Sequence, residues 1–222
     1  MCDDPYADDV RFVQDAAVTT LRYVALGDSY TIGTSAREDE RWPDQLVRRL
    51  AAGRPGAPPL DLVANLGVNG FTSRDVIEVE LPRLGALAPG FVSLLVAVND
   101  VVRGVPADAY RRNMEHILDA VASHVPPERI LAVGTPDYTV TRQGAAYGDP
   151  RRQSAAIAAC NSTLALLAER RRIAFVDIFG VSLRAAADAS LVADDDLHPS
   201  GRQYALWVDA IEPVVRRLLG IR

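Results

Sequence analysis

Three side chains of this sequence could together activate a hydroxyl group for attack on a carbonyl carbon. Ser29 follows an apolar run that ends at Leu26, and Asp195 lies three residues before His198 near the other end of the chain. A serine hydroxyl is a weak nucleophile until an imidazole accepts its proton, and a carboxylate can hold that imidazole in the required orientation. These residue types therefore predict an enzyme that moves acyl groups.

The composition excludes several other kinds of chemistry. All 24 basic residues of the 222-residue chain are arginine, and the absence of lysine excludes Schiff-base catalysis and the phosphate-binding lysine of a P-loop. His116 and His124 fall in a segment of helical periodicity and are predicted to lie on a helix surface, which leaves His198 as the candidate base. The net charge of −5 argues against a nucleic-acid-binding surface.

Short apolar runs alternate along the chain with longer segments of helical periodicity. This alternation is typical of a parallel sheet that is covered by helices on both faces. The sequence therefore predicts the α/β class, as a three-layer α/β/α sandwich around a five-stranded parallel sheet. The predicted strands are Leu21–Leu26, Leu60–Ala64, Phe91–Val98, Ile130–Val133 and Ile173–Val176.

Apolar residues at helical spacing predict the helices between these strands. Stripes of this kind lie at residues 46–51, within residues 106–125 and at residues 157–167, and a shorter helix is predicted to begin near Thr72. The last stripe covers residues 204–218, where Pro213 is expected to kink or split the helix. Gly53–Pro59 and Asp137–Pro150 are predicted to be loops within one domain.

Residues 1–20 are predicted to be an N-terminal extension, and residues 21–222 a single domain. No signal peptide is visible at the start of the sequence, and no apolar run reaches membrane-spanning length. A cytoplasmic protein without stable membrane insertion is therefore expected. Cys2 and Cys160 are too few for a disulfide framework, and Cys160 is expected to be a buried, inert thiol.

The candidate reactive residues all follow predicted strands. Ser29 follows the first strand, Asn65–Gly70 the second, Asn99 the third, and Asp195 and His198 the fifth. In open α/β sheets, ligands bind beyond the carboxyl ends of the strands. The topology is therefore expected to bring these residues together at one edge of the sheet.

Four of these segments resemble the sequence blocks of the SGNH hydrolases, also called the GDSL lipase/esterase family. They are Gly-Asp-Ser-Tyr at residues 27–30, Asn-Leu-Gly-Val-Asn-Gly at 65–70, Ala-Val-Asn-Asp at 97–100, and Asp-Asp-Leu-His-Pro at 195–199. They occur in the family's order, and the resemblance extends from about Tyr23 to the last helix. It implies a flavodoxin-like fold and the hydrolysis of esters.

The resemblance also implies a role for each matching residue. Ser29 corresponds to the nucleophile and His198 to the general base, with Asp195 as its orienting partner. The backbone N–H groups of Ser29 and Gly70 and the side-chain amide of Asn99 correspond to the donors of the oxyanion hole.

Three details of these blocks bear on the assignment. All three acids at positions 194–196 could reach the imidazole from a turn, and only the family's spacing selects Asp195. Tyr30 stands where leucine is common, and Ala97 stands where the third block usually opens with glycine. The extra methyl group of Ala97 is expected to affect the position of Asn99.

These residues predict a serine esterase that forms an acyl-enzyme and acts on a small-molecule ester. Two alternatives remain open: an O-acyltransferase that uses the same residues, and a flavodoxin-like module that binds FMN. No cofactor and no metal ion are expected, because one loop histidine and scattered acids lack ligand spacing. The oligomeric state does not follow from the sequence.

The acyl group is expected to be short, of about two to eight carbons, because the loops after the first three strands are short and no separate lid domain is present. Several apolar residues in or near the loops at the catalytic edge are expected to contribute to an acyl pocket. They are Ile32, Phe71, Val101, Val102, Tyr138, Tyr147 and Leu197.

Overall fold

The computed structural model describes residues 20–52 and 58–221. All of the predicted N-terminal extension except Thr20, with Cys2 in it, lies outside the described residues. Residues 53–57 of the first predicted loop also lie outside them. No helix in the described part of the chain is both long enough and apolar enough to cross a lipid bilayer.

Five parallel strands form the central sheet, in the order β2-β1-β3-β4-β5. This is the flavodoxin-like order, in which the direction of winding reverses between β1 and β3, and ligands bind at that switch point. The fold class and all five predicted strands are thus confirmed. The strands are β1 (Leu21–Gly27), β2 (Leu60–Asn65), β3 (Phe91–Leu95), β4 (Ile130–Val133) and β5 (Ala174–Val176).

Four long helices cover the sheet, and shorter ones follow several strands. The α-helices of the described residues are α1 (Ser29–Ile32), α2 (Trp42–Ala51), α3 (Ser73–Asp75), α4 (Leu84–Leu87), α5 (Val98–Val102), α6 (Ala107–Ala122), α7 (Pro150–Arg170), α8 (Phe179–Ser182) and α9 (Gly201–Leu219). A π-helical turn, Val76–Glu80, and a 3₁₀ turn, Leu81–Arg83, connect α3 to α4. Further 3₁₀ turns lie at Glu38–Glu40, Pro127–Arg129, Gly144–Tyr147, Leu183–Ala186 and Ala189–Leu191.

Successive residues of the strands point to opposite faces of the sheet and build two separate apolar cores. In β1, Tyr23 and Ala25 belong to the core that includes residues of α2 and α9. Val24 and Leu26 belong to the other core, which includes residues of α6 and α7. Every one of these four strand residues is fully buried, as expected for a parallel sheet between two helical layers.

The third strand ends three residues earlier than predicted. Leu95 of β3 pairs with Gly27, the last residue of β1, and beyond this point the neighbouring chain turns into α1. The apolar run continues to Val98, but Val98 is the first residue of α5. A short apolar run does not distinguish a strand from a buried helix, so the pattern alone could not locate this boundary.

The last helix is not split at Pro213. α9 runs without interruption from Gly201 to Leu219, and Pro213 is exposed on its solvent side. A proline in a helix removes one backbone hydrogen bond to the residue four positions earlier, here Asp209. Because Asp209 is also exposed, water can reach the carbonyl group that loses its partner.

Two predictions about single residues have different outcomes. Cys160 is only partly buried on α7, so the expectation of a fully buried thiol is wrong. Burial nevertheless raises the pKa of the Cys160 thiol to about 12, which keeps it protonated and weakly reactive. His116 and His124 are exposed, on α6 and just after its end, as expected for histidines on a helix surface.

Candidate active site

Ser29 lies at the turn between β1 and α1, at the carboxyl edge of the sheet. Asp28 caps α1, because its Oδ1 accepts a hydrogen bond of 3.0 Å from the backbone N–H of Tyr30. Gly27 has φ +152°, and a Cβ atom there would lie 2.1 Å from the carbonyl oxygen of Leu95. Only glycine fits this position, so the sharp turn that presents Ser29 depends on it.

Asp195 and His198 form a hydrogen-bonded pair within one turn. The Nδ1 atom of His198 lies 2.6 Å from Oδ2 of Asp195. The other carboxylate oxygen, Oδ1, accepts the backbone N–H groups of Leu197 at 3.0 Å and of His198 at 2.9 Å. The neighbouring Asp196 instead forms an ion pair with Arg142. Of the three adjacent acids, Asp195 is therefore the one that contacts the imidazole.

Ser35 is a second side-chain donor to Asp195 and was not identified from the sequence. Its Oγ donates to Oδ2 at 2.6 Å, the same oxygen that lies against His198. Partial burial alone would raise the pKa of Asp195, but the hydrogen bonds from Ser35, from His198 and from the two backbone N–H groups outweigh it and lower that pKa to about 2. Asp195 is therefore ionised at any pH at which the protein would be assayed.

Asn99 contacts the loop that contains Gly70. The Nδ2 group of Asn99 donates one hydrogen bond to the carbonyl oxygen of Phe71, at 2.8 Å, which leaves its second N–H for another acceptor. Gly70 has φ +85°, and the nearest atom to a Cβ there would be 3.7 Å away, on Arg103. Glycine is therefore needed at position 70 for its backbone conformation and not for space.

Arg103 fixes the loop that contains Gly70. One guanidinium nitrogen donates to the carbonyl oxygen of Gly70 at 2.7 Å. Arg103 was not identified from the sequence, although its position four residues after Asn99 places both on one side of the helical turn that includes α5. That spacing is the signal that could have identified it.

The backbone N–H groups of Ser29 and Gly70 have no acceptor within the described residues. The Ser29 hydroxyl likewise makes no hydrogen bond to any part of the chain that is described. The contact between serine and imidazole is thus not formed in this geometry. In enzymes without bound substrate, catalytic hydrogen bonds are often long and tighten only in the substrate complex.

A cavity of about 150 Å³ is lined by Ser29, Asn99 and His198, whereas Gly70 and Asp195 are not among its lining residues. Among the residues expected to contribute to an acyl pocket, Val102, Tyr138, Tyr147 and Leu197 line this cavity. The other three, at positions 32, 71 and 101, do not. The lining also includes residues that the sequence had not suggested as pocket residues: Tyr30, Asn69 and Val98.

Tyr30 supports the imidazole from within the core. Its ring centroid lies 5.6 Å from that of His198 and 6.2 Å from that of Trp207, and Tyr30 is itself buried. The residue that departs from the family's usual leucine thus packs between the candidate base and α9. The substitution preserves an apolar support for His198.

Two buried acids lie beneath the turn at Ser29. Oε2 of Glu80 accepts the backbone N–H of Gly27 at 2.9 Å, and its Oε1 has no partner among the described residues. Burial, together with the nearby charge of Asp28, raises the pKa of Glu80 to about 9. Burial raises the pKa of Asp28 to about 7. Glu80 is therefore protonated at neutral pH.

Asp100 anchors α5 to Ser73, the first residue of α3. Its carboxylate accepts hydrogen bonds from the backbone N–H of Ser73, at 2.8 Å, and from the Ser73 hydroxyl. Asn113 of α6 donates to the same hydroxyl at 2.9 Å. This buried network holds the helix that presents Asn99.

Ala97 does not prevent Asn99 from reaching the cavity. Ala97 is fully buried, and its φ of 174° is ordinary extended backbone for any residue. Asn99 follows two residues later and lines the same cavity as Ser29. Within the described ranges, 20–52 and 58–221, no group of three or more histidine, cysteine or acidic side chains could hold a metal ion.

The sequence matches the model of the GDSL-like Lipase/Acylhydrolase family over residues 25–206. The chain belongs to that family. It is therefore a carboxylic ester hydrolase, and the resemblance of the four sequence blocks is confirmed. Among proteins of curated function, no sequence matches the chain significantly.

Solved structures with the same fold include several ester hydrolases. A member of the lipolytic G-D-S-L family from Veillonella parvula is 14% identical, with a TM-score of 0.69 over 90% of this chain and 100% of its own. The acetylxylan esterase Axe2 from Geobacillus stearothermophilus is 20% identical, with a TM-score of 0.68 over 93% and 98%. LAE5, an alpha/beta hydrolase from the metagenome of Lake Arreo, is 20% identical, with a TM-score of 0.67 over 92% and 98%.

Family membership decides between ester hydrolysis and FMN binding, two of the functions that the sequence left open. Ester hydrolysis and FMN binding both suit a flavodoxin-like sheet, but the matched family consists of lipases and acylhydrolases. The FMN-binding alternative is therefore dropped. An acyltransferase with the same residues differs from a hydrolase only in the acceptor that attacks the acyl-enzyme, so analysis of the products distinguishes the two.

Proposed function

We propose that this family member hydrolyses esters of short acyl groups through an acyl-enzyme on Ser29. His198 acts as the general base, and Asp195 orients it. The oxyanion hole consists of the N–H groups of Ser29 and Gly70 and the side-chain amide of Asn99. The observation that carries the proposal is the 2.6 Å contact between His198 and Asp195 beside a cavity that Ser29 and Asn99 also line.

In the first half of the reaction, Nε2 of His198 accepts the proton of the Ser29 hydroxyl while Oγ attacks the ester carbonyl carbon. The carbonyl oxygen becomes an oxyanion, which the free N–H groups of Ser29, Gly70 and Asn99 stabilise. The bond to the alcohol oxygen then breaks, and the imidazolium of His198 gives its proton to that oxygen. The alcohol leaves, and the acyl group remains on Ser29.

In the second half, water replaces the alcohol. His198 accepts a proton from water, whose oxygen attacks the acyl carbon, and the same donors stabilise the second oxyanion. When the bond to Oγ breaks, the imidazolium returns the proton to Ser29, and the carboxylic acid leaves. Ionised Asp195 stabilises the imidazolium in both halves, which is consistent with its low pKa of about 2.

Two features support assigning these roles to Ser29 and Asp195. Each residue has a position at the carboxyl edge of the sheet that suits a nucleophile or an orienting acid. Among the structural neighbours, a serine-to-alanine variant and an aspartate-to-alanine variant of Axe2 are both described as catalytic mutants.

A short acyl group is the substrate class that the cavity supports best. Its volume of about 150 Å³ matches a cavity that holds a single benzene molecule. An acetyl to butyryl group fits such a space, whereas a long acyl chain does not. The neighbour Axe2 is described as an acetylxylan esterase, and acetyl esters of a carbohydrate are accordingly the first natural substrates to test.

The Ser29→Ala variant tests the mechanism. It is expected to fold and to lose nearly all turnover of p-nitrophenyl acetate, and a fluorophosphonate probe is expected to label the wild type but not the variant. Ser162→Ala, which changes an exposed serine on α7, is the matched control and should keep both activity and labelling. Substantial turnover by Ser29→Ala would refute the acyl-enzyme on Ser29.

Product analysis distinguishes hydrolysis from acyl transfer. The wild type is incubated with p-nitrophenyl acetate in water, and then with increasing concentrations of a sugar alcohol. Free acetate as the main product throughout is expected for the hydrolase. Acetylated alcohol that dominates at millimolar acceptor would instead identify an O-acyltransferase.

A further inference from the structure

A second and larger cavity adjoins the catalytic one at Val102. Its volume is about 500 Å³, within the range of sites that bind small organic molecules. It is lined by residues of α5, α6 and α7, among them Tyr110, Ala156 and Cys160. Its lining combines apolar residues, such as Val105 and Ala156, with the polar side chains of Asp149, Arg152 and Gln153, and the buried Tyr110 hydroxyl has no partner among the described residues.

Two segments of the chain separate the cavities. The first is α5: Val98 and Asn99 line the catalytic cavity, Asp100 and Val101 line the second one, and Val102 lines both. The second segment is the loop in which Tyr147 lines the catalytic cavity while the next two residues line the other. Val102 is therefore a side chain at which the two spaces adjoin.

The proposed mechanism places the acyl part of the ester on the α5 side. The alcohol oxygen must lie near His198, because it takes its proton from the imidazolium, so the alcohol part extends along Leu197 and His198. The oxyanion points to Asn99. Val102 lies three residues after Asn99, a spacing that places both on one side of α5, and Val98 lines the same cavity, so the acyl substituent meets these two valines.

We infer that Val102 sets the acyl length of this enzyme, as the wall that closes the catalytic cavity toward the second one. This inference rests on the proposed ester hydrolysis at Ser29. With Val102 in place, the acyl chain ends within a space of about 150 Å³. When this side chain is shortened, the adjoining space between α5, α6 and α7 receives the chain beyond its first few carbons, along apolar residues such as Val105 and Ala156.

Val102→Ala tests the inference through the ratio of kcat/KM for p-nitrophenyl octanoate to that for p-nitrophenyl acetate. The ratio is expected to rise at least about tenfold, because burial of each added methylene group favours binding about fourfold. Val102→Leu lengthens the wall and is expected to lower the ratio for butyrate to acetate. An unchanged octanoate ratio in Val102→Ala would overturn the inference.

A cavity-filling variant identifies where the longer chain goes. Ala156→Phe places a ring in the second cavity, away from Ser29, and alone should keep the wild-type profile of chain lengths. In the double variant Val102→Ala/Ala156→Phe, the octanoate ratio is expected to return to the wild-type value. If the double variant keeps the gain, the chain lies elsewhere and the inference is wrong.

These outcomes are separable from failure of the proposed function itself. If the wild type does not hydrolyse esters, or if Ser29→Ala keeps full turnover, the mechanism at Ser29 is refuted. If the wild type is active but the Val102 variants have the same acyl-chain preference, only the role of Val102 is refuted.

Discussion

Glu80 offers a test of the electrostatics beneath the site, through the variant Glu80→Gln. Only 1% of the residue is exposed, and its carboxyl group accepts the N–H of Gly27, directly before the turn at Ser29. Glutamine has the same shape, and its amide oxygen can accept the same hydrogen bond. The variant therefore removes the ionisation of Glu80 while keeping the packing.

The sign and size of the effect follow from the raised pKa. In the unfolded chain Glu80 titrates near pH 4.5, and in the folded protein its pKa is about 9. Between these values the folded state binds a proton that the unfolded state has lost, so folding stability falls as pH rises. The slope is about 1.4 kcal/mol per pH unit, which amounts to about 4 kcal/mol between pH 5 and pH 8. Stabilisation by neutral Glu80 is thus complete below about pH 4.5 and lost by about pH 9.

Urea unfolding at several pH values between 5 and 8 measures this difference. The free energies of unfolding of wild type and Glu80→Gln should be similar at pH 5 and should diverge with increasing pH, with the variant the more stable at pH 8. Comparison of the two proteins cancels the contributions of the ionisable groups that do not interact with Glu80. Glu78→Gln, at an exposed position two residues earlier, is the control and should run parallel to the wild type. A Glu80→Gln curve parallel to the wild type would refute the buried, protonated state.

Substitutions at three further residues test the catalytic assignments by steady-state kinetics. Asn99→Ala should lower kcat by about 10²–10³ with little change in KM, because one oxyanion donor is lost; a mainly KM effect would show that Asn99 binds the substrate in its ground state. Among the acids, Asp195→Asn should reduce kcat most, because Asp195 contacts the imidazole, and equal losses for Asp194→Asn or Asp196→Asn would contradict its assignment. Ser35→Ala and Ser35→Gly should both lower kcat about tenfold, since each removes a hydrogen bond to a charged group. Ser35→Gly should be more stable to heat than Ser35→Ala, because position 35 has φ +64°, which glycine adopts more readily than alanine. Wild-type kcat in both Ser35 variants would show that the Ser35 hydrogen bond does not position Asp195.

The sequence was sufficient to predict the sheet, for a physical reason. Strands that are buried on both faces appear as continuous apolar runs, and the four outermost predictions, β1, β2, β4 and β5, agree with the structure to within one residue at each end. The same reasoning placed Ser29, Asn99 and His198 at one edge, because parallel strands carry their following loops to the same side. All three line one cavity.

The residues that the sequence did not reveal act across the fold. Ser35 and Asp195 are 160 positions apart, and Glu80 and Gly27 are 53 apart, so no local pattern connects either pair. A serine in a loop and a glutamate at the end of a helical stretch are ordinary surface residues by composition. Only the packing of the layers turns Glu80 into a buried acid and Ser35 into a partner of Asp195.

The short helix α5 explains why the candidate site should respond to mutation as a unit. Within five residues it presents Asn99 to the cavity, anchors itself through Asp100 and ends with the wall residue Val102, and Arg103 directly after it holds the carbonyl of Gly70. A change at any one of these positions can shift the helix and with it the amide of Asn99. Free energies for substitutions within α5 are therefore not expected to add. Val102 and Asn99 lie on one rigid helix, so a change at Val102 can also alter oxyanion binding at Asn99. That change affects both ester substrates alike. The ratio of their kcat/KM values therefore isolates the effect of Val102 on acyl length, whereas the rate for either ester alone does not.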